Sequence, residues 1–156
     1  MTIYELFAAL DRAIERAART RDRLRGEAMR TAFDFDEAWT DFARRAGTDP
    51  FAFADEVAAL DPADRPDDVA AFDRVILEAF RFQHADAARR ACECDLARLE
   101  VVRRRLLAAH SRFAGAADEL VAAYTAAARE LARCAKEPVR SPRPPTRSTG
   151  CRNASR

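Results

Sequence analysis

The sequence predicts an all-α fold, and three observations carry that expectation. Alanine, arginine, leucine and acidic residues dominate a chain with only 4 glycines, and such side chains lose little rotamer freedom in a helix. Apolar residues recur at alternating spacings of three and four, the period of a helix face. Valine, isoleucine and threonine are too sparse and scattered to build strands. At 156 residues the chain fits one domain that can bury a core without staples. The expected architecture is an elongated helical bundle or coiled-coil-like long helical hairpin, with shorter N-terminal helices and a disordered C-terminal tail. Residues 1–137 form the helical domain in this reading, and residues 138–156 the tail.

The first helix opens at Thr2-Ile3-Tyr4-Glu5, a capping box in which the threonine hydroxyl accepts from the Glu5 amide while Glu5 reaches back. Ile3, Leu6, Phe7, Leu10, Ala13, Ile14 and Ala17 fall on one face, which thins to Leu24 and Ala28 beyond. The charge-rich run from Arg19 to Arg25 reads as a solvated face, because Asp11, Glu15 and Asp22 interrupt its positive charge. A second helix is expected from Asp34, with Glu37 at the third position and Phe33 stapling its start. Its stripe is Phe35, Ala38, Trp39, Phe42, Ala43 and Ala46, and Gly47 stops it. Phe35, Trp39 and Phe42 are candidate partner-binding residues, because aromatic anchors dominate interface energetics. The competing reading is that the single tryptophan fills the core.

Asp49-Pro50 restarts a helix, with aspartate as cap and proline at the first position. Phe51, Phe53, Ala54, Val57 and Leu60 give it one apolar side, and Asp61 to Asp68 follows as an acidic, proline-containing connector. Asp67 or Asp68 is then expected to cap a long helix over about residues 68–113. Val69, Phe72, Ile76, Ala79, Phe80, Gln83 and Ala87 lead its stripe. After a shift in phase, the stripe continues through Cys92, Leu96, Leu99, Val102, Leu106, His110 and Phe113. Unbroken, this helix spans ~68 Å at 1.5 Å per residue, a length typical of a bundle spine. Gly115 is the expected hinge before a last helix over about 116–137, with Leu120, Tyr124, Leu131 and Cys134 on its seam.

Net charge divides the chain. Residues from Pro138 onward hold five of the 27 basic residues and no acid. The preceding residues therefore set 22 basic against 26 acidic residues, an excess of four negative charges. An acidic body bears a basic, proline- and serine-rich tail that is expected to be disordered. Pro142, Pro145 and Arg147 match a ligand for modules that read polyproline helices. Ser141-Pro142 has the form of a phosphorylation site, and the arginines suit nuclear import or contact with phosphate backbones. A plain solubilising tail accounts for the same composition.

Chemistry-bearing motifs are missing. His84 has Arg81 three residues before it and His110 has Leu107, so the Glu-x-x-His spacing of helix-bundle metal sites is absent. His110 sits on the seam, where a histidine is mostly a hydrogen-bonded packing residue, occasionally a pH switch and only rarely a ligand. No Gly-x-Ser-x-Gly element or catalytic triad pattern occurs. Cys92 and Cys94 lie two apart on a helix and point roughly 200° apart, so they neither pair nor share a metal. With Cys134 and Cys151 they read as reduced thiols. The expectation is therefore a protein that is not an enzyme, with no cofactor and no metal. Met1 to Leu10 does not resemble a signal peptide, and no uncharged run approaches the ~20 residues that span a bilayer. An intracellular protein without a membrane span is expected, and the Asn153-Ala154-Ser155 sequon is read as chance.

One local similarity bears on function. Arg98-Leu99-Glu100-Val101-Val102-Arg103, then Leu107-Ala108-Ala109-His110-Ser111-Arg112-Phe113, then Asp118-Glu119-Leu120 resemble a family of small helical herpesvirus tegument proteins. Chain size, the alanine and arginine bias and the tail are similar too. The Phe33 to Trp39 cluster and the helix after Asp49 depart from that pattern. The resemblance implies a minor virion component with chaperone-like, assembly or capsid-transport roles, located in the tegument and in host cytoplasm or nucleus. It marks His110 and Arg112 as motif positions, beside which Phe113 stands as a further candidate contact. Together the readings point to a helical adaptor whose partners are other proteins or a second copy of itself. Nucleic acid bound through the tail is the alternative.

Overall fold

The computed structural model describes residues 2–111 and 117–136. Among the described residues four helices form: α1 (Ile3–Ala46), α2 (Pro50–Ala59), α3 (Pro66–Ser111) and α4 (Ala117–Lys136). The fold is all-α, as expected, and its frame is a long hairpin of α1 and α3.

α1 starts where the capping box puts it. The Glu5 amide donates to Thr2 Oγ1 at 3.2 Å and the Thr2 amide donates to Glu5 Oε2 at 2.6 Å. That amide bond, more than the hydroxyl, holds the Glu5 carboxyl below its ordinary range. Gly47 ends the helix with φ 76°, a backbone region that favours glycine, and its N–H donates to Ala43 O. Between these caps the sequence expectation of two shorter helices is corrected: α1 is one helix of 44 residues. Asp34 lies within it, exposed, and caps nothing. The Thr31 hydroxyl is spent on the carbonyls of Glu27 and Ala28, both at 3.1 Å. Continuity follows from a seven-residue repeat of Leu10, Ala17, Leu24, Thr31 and Ala38, which keeps one edge of α1 against α3 throughout.

Gly26 is the weak point of that helix, and it is tolerated because its site is open. A Cβ there would meet nothing within 4 Å. Gly26→Ala is therefore expected to raise the unfolding free energy by about 0.5–1 kcal/mol. A higher urea midpoint at unchanged slope would show it.

Asp49 caps α2 as anticipated, its Oδ1 accepting from the amides of Phe51 and Ala52 at 3.1 and 3.0 Å. α3 begins two or three residues earlier than its expected caps imply. Pro66 opens the helix, so Asp67 and Asp68 lie in its first turn and act on the helix dipole instead. α1 and α3 run antiparallel, as cross-links along their length establish. Asp11 meets Arg103, the Cys92 thiol donates to Ala17 O at 3.4 Å, Glu37 meets Arg74, and Arg45 meets Asp68.

On α3 the α1-facing seam is Val75, Glu78, Phe82, Ala85, Arg89, Cys92, Leu96, Leu99, Arg103, Leu106 and His110. The spacing alternates three and four without a break, the pattern of a left-handed helix pair. The phase shift expected near Cys92 is thereby corrected. α3 carries two apolar rows, and the sequence reading joined the first half of one to the second half of the other. Val69 and Phe72 begin the outer row. It then continues as Ile76, Phe80, Gln83, Ala87, Arg90, Cys94, Ala97 and Val101, turned away from α1.

Two separate cores result. At one end Leu6, Leu10, Ala13, Leu99, Leu106 and Ala127 are buried together, where α4 returns along α3 and α1. At the other, Ala38, Phe42 and Val75 are buried beneath Phe53 and Ala54 of α2. Between the two ends α1 and α3 pack as a pair, with Leu24, Ala28, Glu78 and Ala85 buried there.

Candidate interaction surfaces

The end closed by α2 is aromatic. Phe42 lies fully buried, 5.2 Å from Phe53 and 5.7 Å from Phe72 between ring centroids. Trp39 touches it at 6.1 Å and meets Phe51 at 5.3 Å. Phe35 stacks on Phe82 at 6.5 Å, across the seam. The Arg65 guanidinium sits 5.1 Å over the Phe53 ring and pairs with Glu56 and Asp68, which ties the connector to α2. The three candidate anchors are thus brought together, but Phe42 is a core residue and offers nothing to a partner. The exposed element is one the sequence reading passed over. Phe51 is 73% exposed on the outer side of Trp39. Its signal was the helix start itself, since a large apolar residue directly after a capped proline stands at a free end.

At the opposite end His110 is half-buried between α1 side chains. Its ring meets Tyr4 at 6.2 Å and Phe7 at 6.1 Å, both edge-on, and its Nδ1 is buried with no hydrogen-bond partner. The ring packs as expected of a seam histidine, but the hydrogen bond expected with that role is not made at Nδ1. Arg112, Phe113, Pro142, Pro145 and Arg147 lie outside the described residues.

The outer row of α3 is the third surface. Ile76 is 49% exposed, and Phe80 stacks on His84 with ring centroids 5.4 Å apart. Along the same helix Asp86 receives Arg89 and Arg90, and these partners, Arg89 first, hold its carboxyl below the usual range. Arg89 also reaches Glu93 at 2.8 Å. α4 is tied to α3 by Arg133, whose guanidinium bonds Asp95 at 2.7 Å and Glu130 at 2.6 Å.

The thiols differ by position. Cys92 is buried in the seam, and that burial, with Asp95 nearby, pushes its pKa up; Cys94 is exposed. Burial and the raised pKa both hold Cys92 back as a nucleophile, whereas Cys94 is open to reagents. In the folded protein, Cys94 is expected to react with a maleimide at least about tenfold faster than Cys92, a difference that peptide mapping after timed labelling reads directly.

Among the described residues no group of three histidine, cysteine or acidic side chains is placed to hold a metal ion. Among them, too, no helix is long and apolar enough to cross a membrane. No family model, curated protein or solved structure matches the chain.

Proposed function

We propose that the protein is a non-enzymatic helical adaptor that binds other proteins through apolar side chains left uncovered on a rigid frame. The observation that supports this best is the Phe51–Trp39 pair. A large aromatic ring stands 73% exposed, and it is held in place by a second ring 5.3 Å away. Exposed, pre-positioned aromatic residues are what interfaces use as anchors, because they bury large area at small entropic cost. Taken with the resemblance of residues 98–120 to small tegument proteins, the reading becomes a minor virion component that handles or transports other viral proteins.

The test is an affinity pull-down with full-length protein against Phe51→Ser and Trp39→Ala. Phe51 lies outside the core, so its replacement leaves the fold in place. Partners captured by the intact chain are expected to be lost from the Phe51 variant, and equal capture by both would overturn the proposal.

A second reading rests on the arginines beyond Pro138, which no acid balances. It makes the tail a nucleic-acid contact with salt-dependent binding. Deleting residues 138–156 would abolish such binding, and binding that survives the deletion rejects this reading.

A further inference from the structure

The end closed by α2 is the acidic part of the molecule. Residues 34–74 hold twelve acidic side chains against four basic ones, whereas the other described residues hold thirteen acidic against seventeen basic. All four basic side chains of this end are already engaged, Arg44 with Asp41, Arg45 with Asp68, Arg65 with Glu56 and Arg74 with Glu37. Asp34, Asp36 and Asp55 are exposed and pair with no basic side chain among the described residues. Asp36 stands three residues before Trp39 and Asp55 four after Phe51, so each shares a helix face with one ring of the exposed pair. An aromatic surface flanked on both sides by unmet carboxylates suits a cationic side chain with an apolar stem.

We infer that the occupant is the chain's own C-terminal segment, with Arg147 and Arg152 set against Trp39 and Phe51 between Asp36 and Asp55. From Pro138 onward that segment holds five arginines and no acid, the charge that the acidic end lacks. α4 delivers it to the right place. Arg133 bonds Asp95 of α3 at 2.7 Å, while Glu119 and Ala123 share a groove with Arg105 and Ala109. α4 therefore runs antiparallel to α3, and its C-terminal end points toward α2. The same register sets Lys136 level with Cys92, from which Phe72, packed on the Phe42 ring, is about 30 Å away along α3. Residues 137–147, extended at about 3.1 Å each, cover about 34 Å, so Arg147 reaches the aromatic end and Arg152 has length to spare.

The same end already contains one contact of the required kind. The Arg65 guanidinium lies 5.1 Å over the Phe53 ring while it pairs with Glu56 and Asp68, a ring below and carboxylates beside it. Each such contact is weak at an exposed site. A tethered segment, however, acts at an effective concentration of roughly millimolar, which is enough to populate a weak contact within one chain. The prolines at 142, 144 and 145 restrict the segment before it binds and so lower the ordering cost. The inference rests on the adaptor reading for the identity of the surface, and it adds what covers that surface until a partner displaces it.

The test uses the full-length chain. Trp39 is its single tryptophan, and Cys151 stands between Arg147 and Arg152. With Cys94→Ser and Cys134→Ser as background and Cys92 buried, a dansyl acceptor is attached at Cys151. Energy transfer from Trp39 is expected at low salt, and it should fall at least about threefold when salt rises from about 0.05 to about 0.5 M. Asp36→Lys with Asp55→Lys, both at exposed positions, should lower it as far at low salt. Adding Arg147→Glu and Arg152→Glu to that pair should restore it. Transfer that ignores both salt and the two lysine substitutions overturns the inference. Transfer that falls on dilution gives the segment to another copy and overturns it equally. Absent transfer beside Phe51-dependent capture of a partner overturns this inference and leaves the adaptor reading standing, whereas capture that ignores Phe51 counts against the adaptor reading alone.

Discussion

Phe42→Ala is expected to lower the unfolding free energy by about 3–5 kcal/mol. Phe42 is fully buried, and it is the point at which α1, α2 and α3 meet. Its ring contacts Trp39 on its own helix, Phe53 on α2 and Phe72 on α3. Truncation removes the ring from an apolar site and leaves a cavity between three elements that cannot collapse together without moving the hairpin's closed end. Since a domain of this size is stable by only about 5–15 kcal/mol, the loss is a large share of the total. Urea unfolding followed by circular dichroism measures it as a fall in midpoint at unchanged slope. The same substitution at Phe51, which is 73% exposed, should cost under about 1 kcal/mol. Equal effects at the two positions would contradict the placement of Phe42 in the core.

Glu78→Leu is expected to act in the opposite direction. Glu78 is a seam position and is 7% exposed. One of its oxygens accepts from Arg81 at 2.8 Å, while Oε2 is buried with no hydrogen-bond partner. A carboxylate taken from water with half of its acceptors unmet is destabilising, and Arg81, whose side chain is 55% exposed, offsets little of that cost. Leucine keeps the volume and completes the apolar repeat between Val75 and Phe82. The gain should be about 1–3 kcal/mol, read as a higher thermal midpoint. A variant less stable than the parent would mean that the carboxylate has a partner essential to the seam.

Local chemistry at the helix ends was legible in the sequence; the direction in which helix faces point was less so. Thr2 with Glu5, Asp49 with Pro50, and Gly47 each carry their structural role in residue type and spacing, and each took it up. Asp34 offers the same kind of signal, but the seam through Thr31, Phe35 and Ala38 outweighs it and keeps α1 unbroken. Cap residues only permit a helix start; tertiary packing decides whether one occurs. The faces of α3 posed a harder problem. A helix with two apolar rows has no single amphipathic direction, so periodicity alone could not say which row meets α1. Glu78, Arg89 and Arg103 on the true seam made it look like the solvated side. Among the candidate contacts, Phe42 proved to be core because α2 folds over it, a long-range event that spacing does not encode. Phe51, by contrast, carries a local signal in its place directly after the capped proline.

The separation of the two cores along one hairpin has a consequence for how the molecule opens. Each end is a cluster of three helices with its own contacts, and the stretch between them is held by a single pair. Such an arrangement favours sub-global opening, in which one end loosens while the other remains protected from amide hydrogen exchange. How well the ends communicate then depends on Leu24, Ala28 and Ala85, the small buried set at the centre. A partner that grips one end can thus be released by local melting there, while the other end keeps its hold.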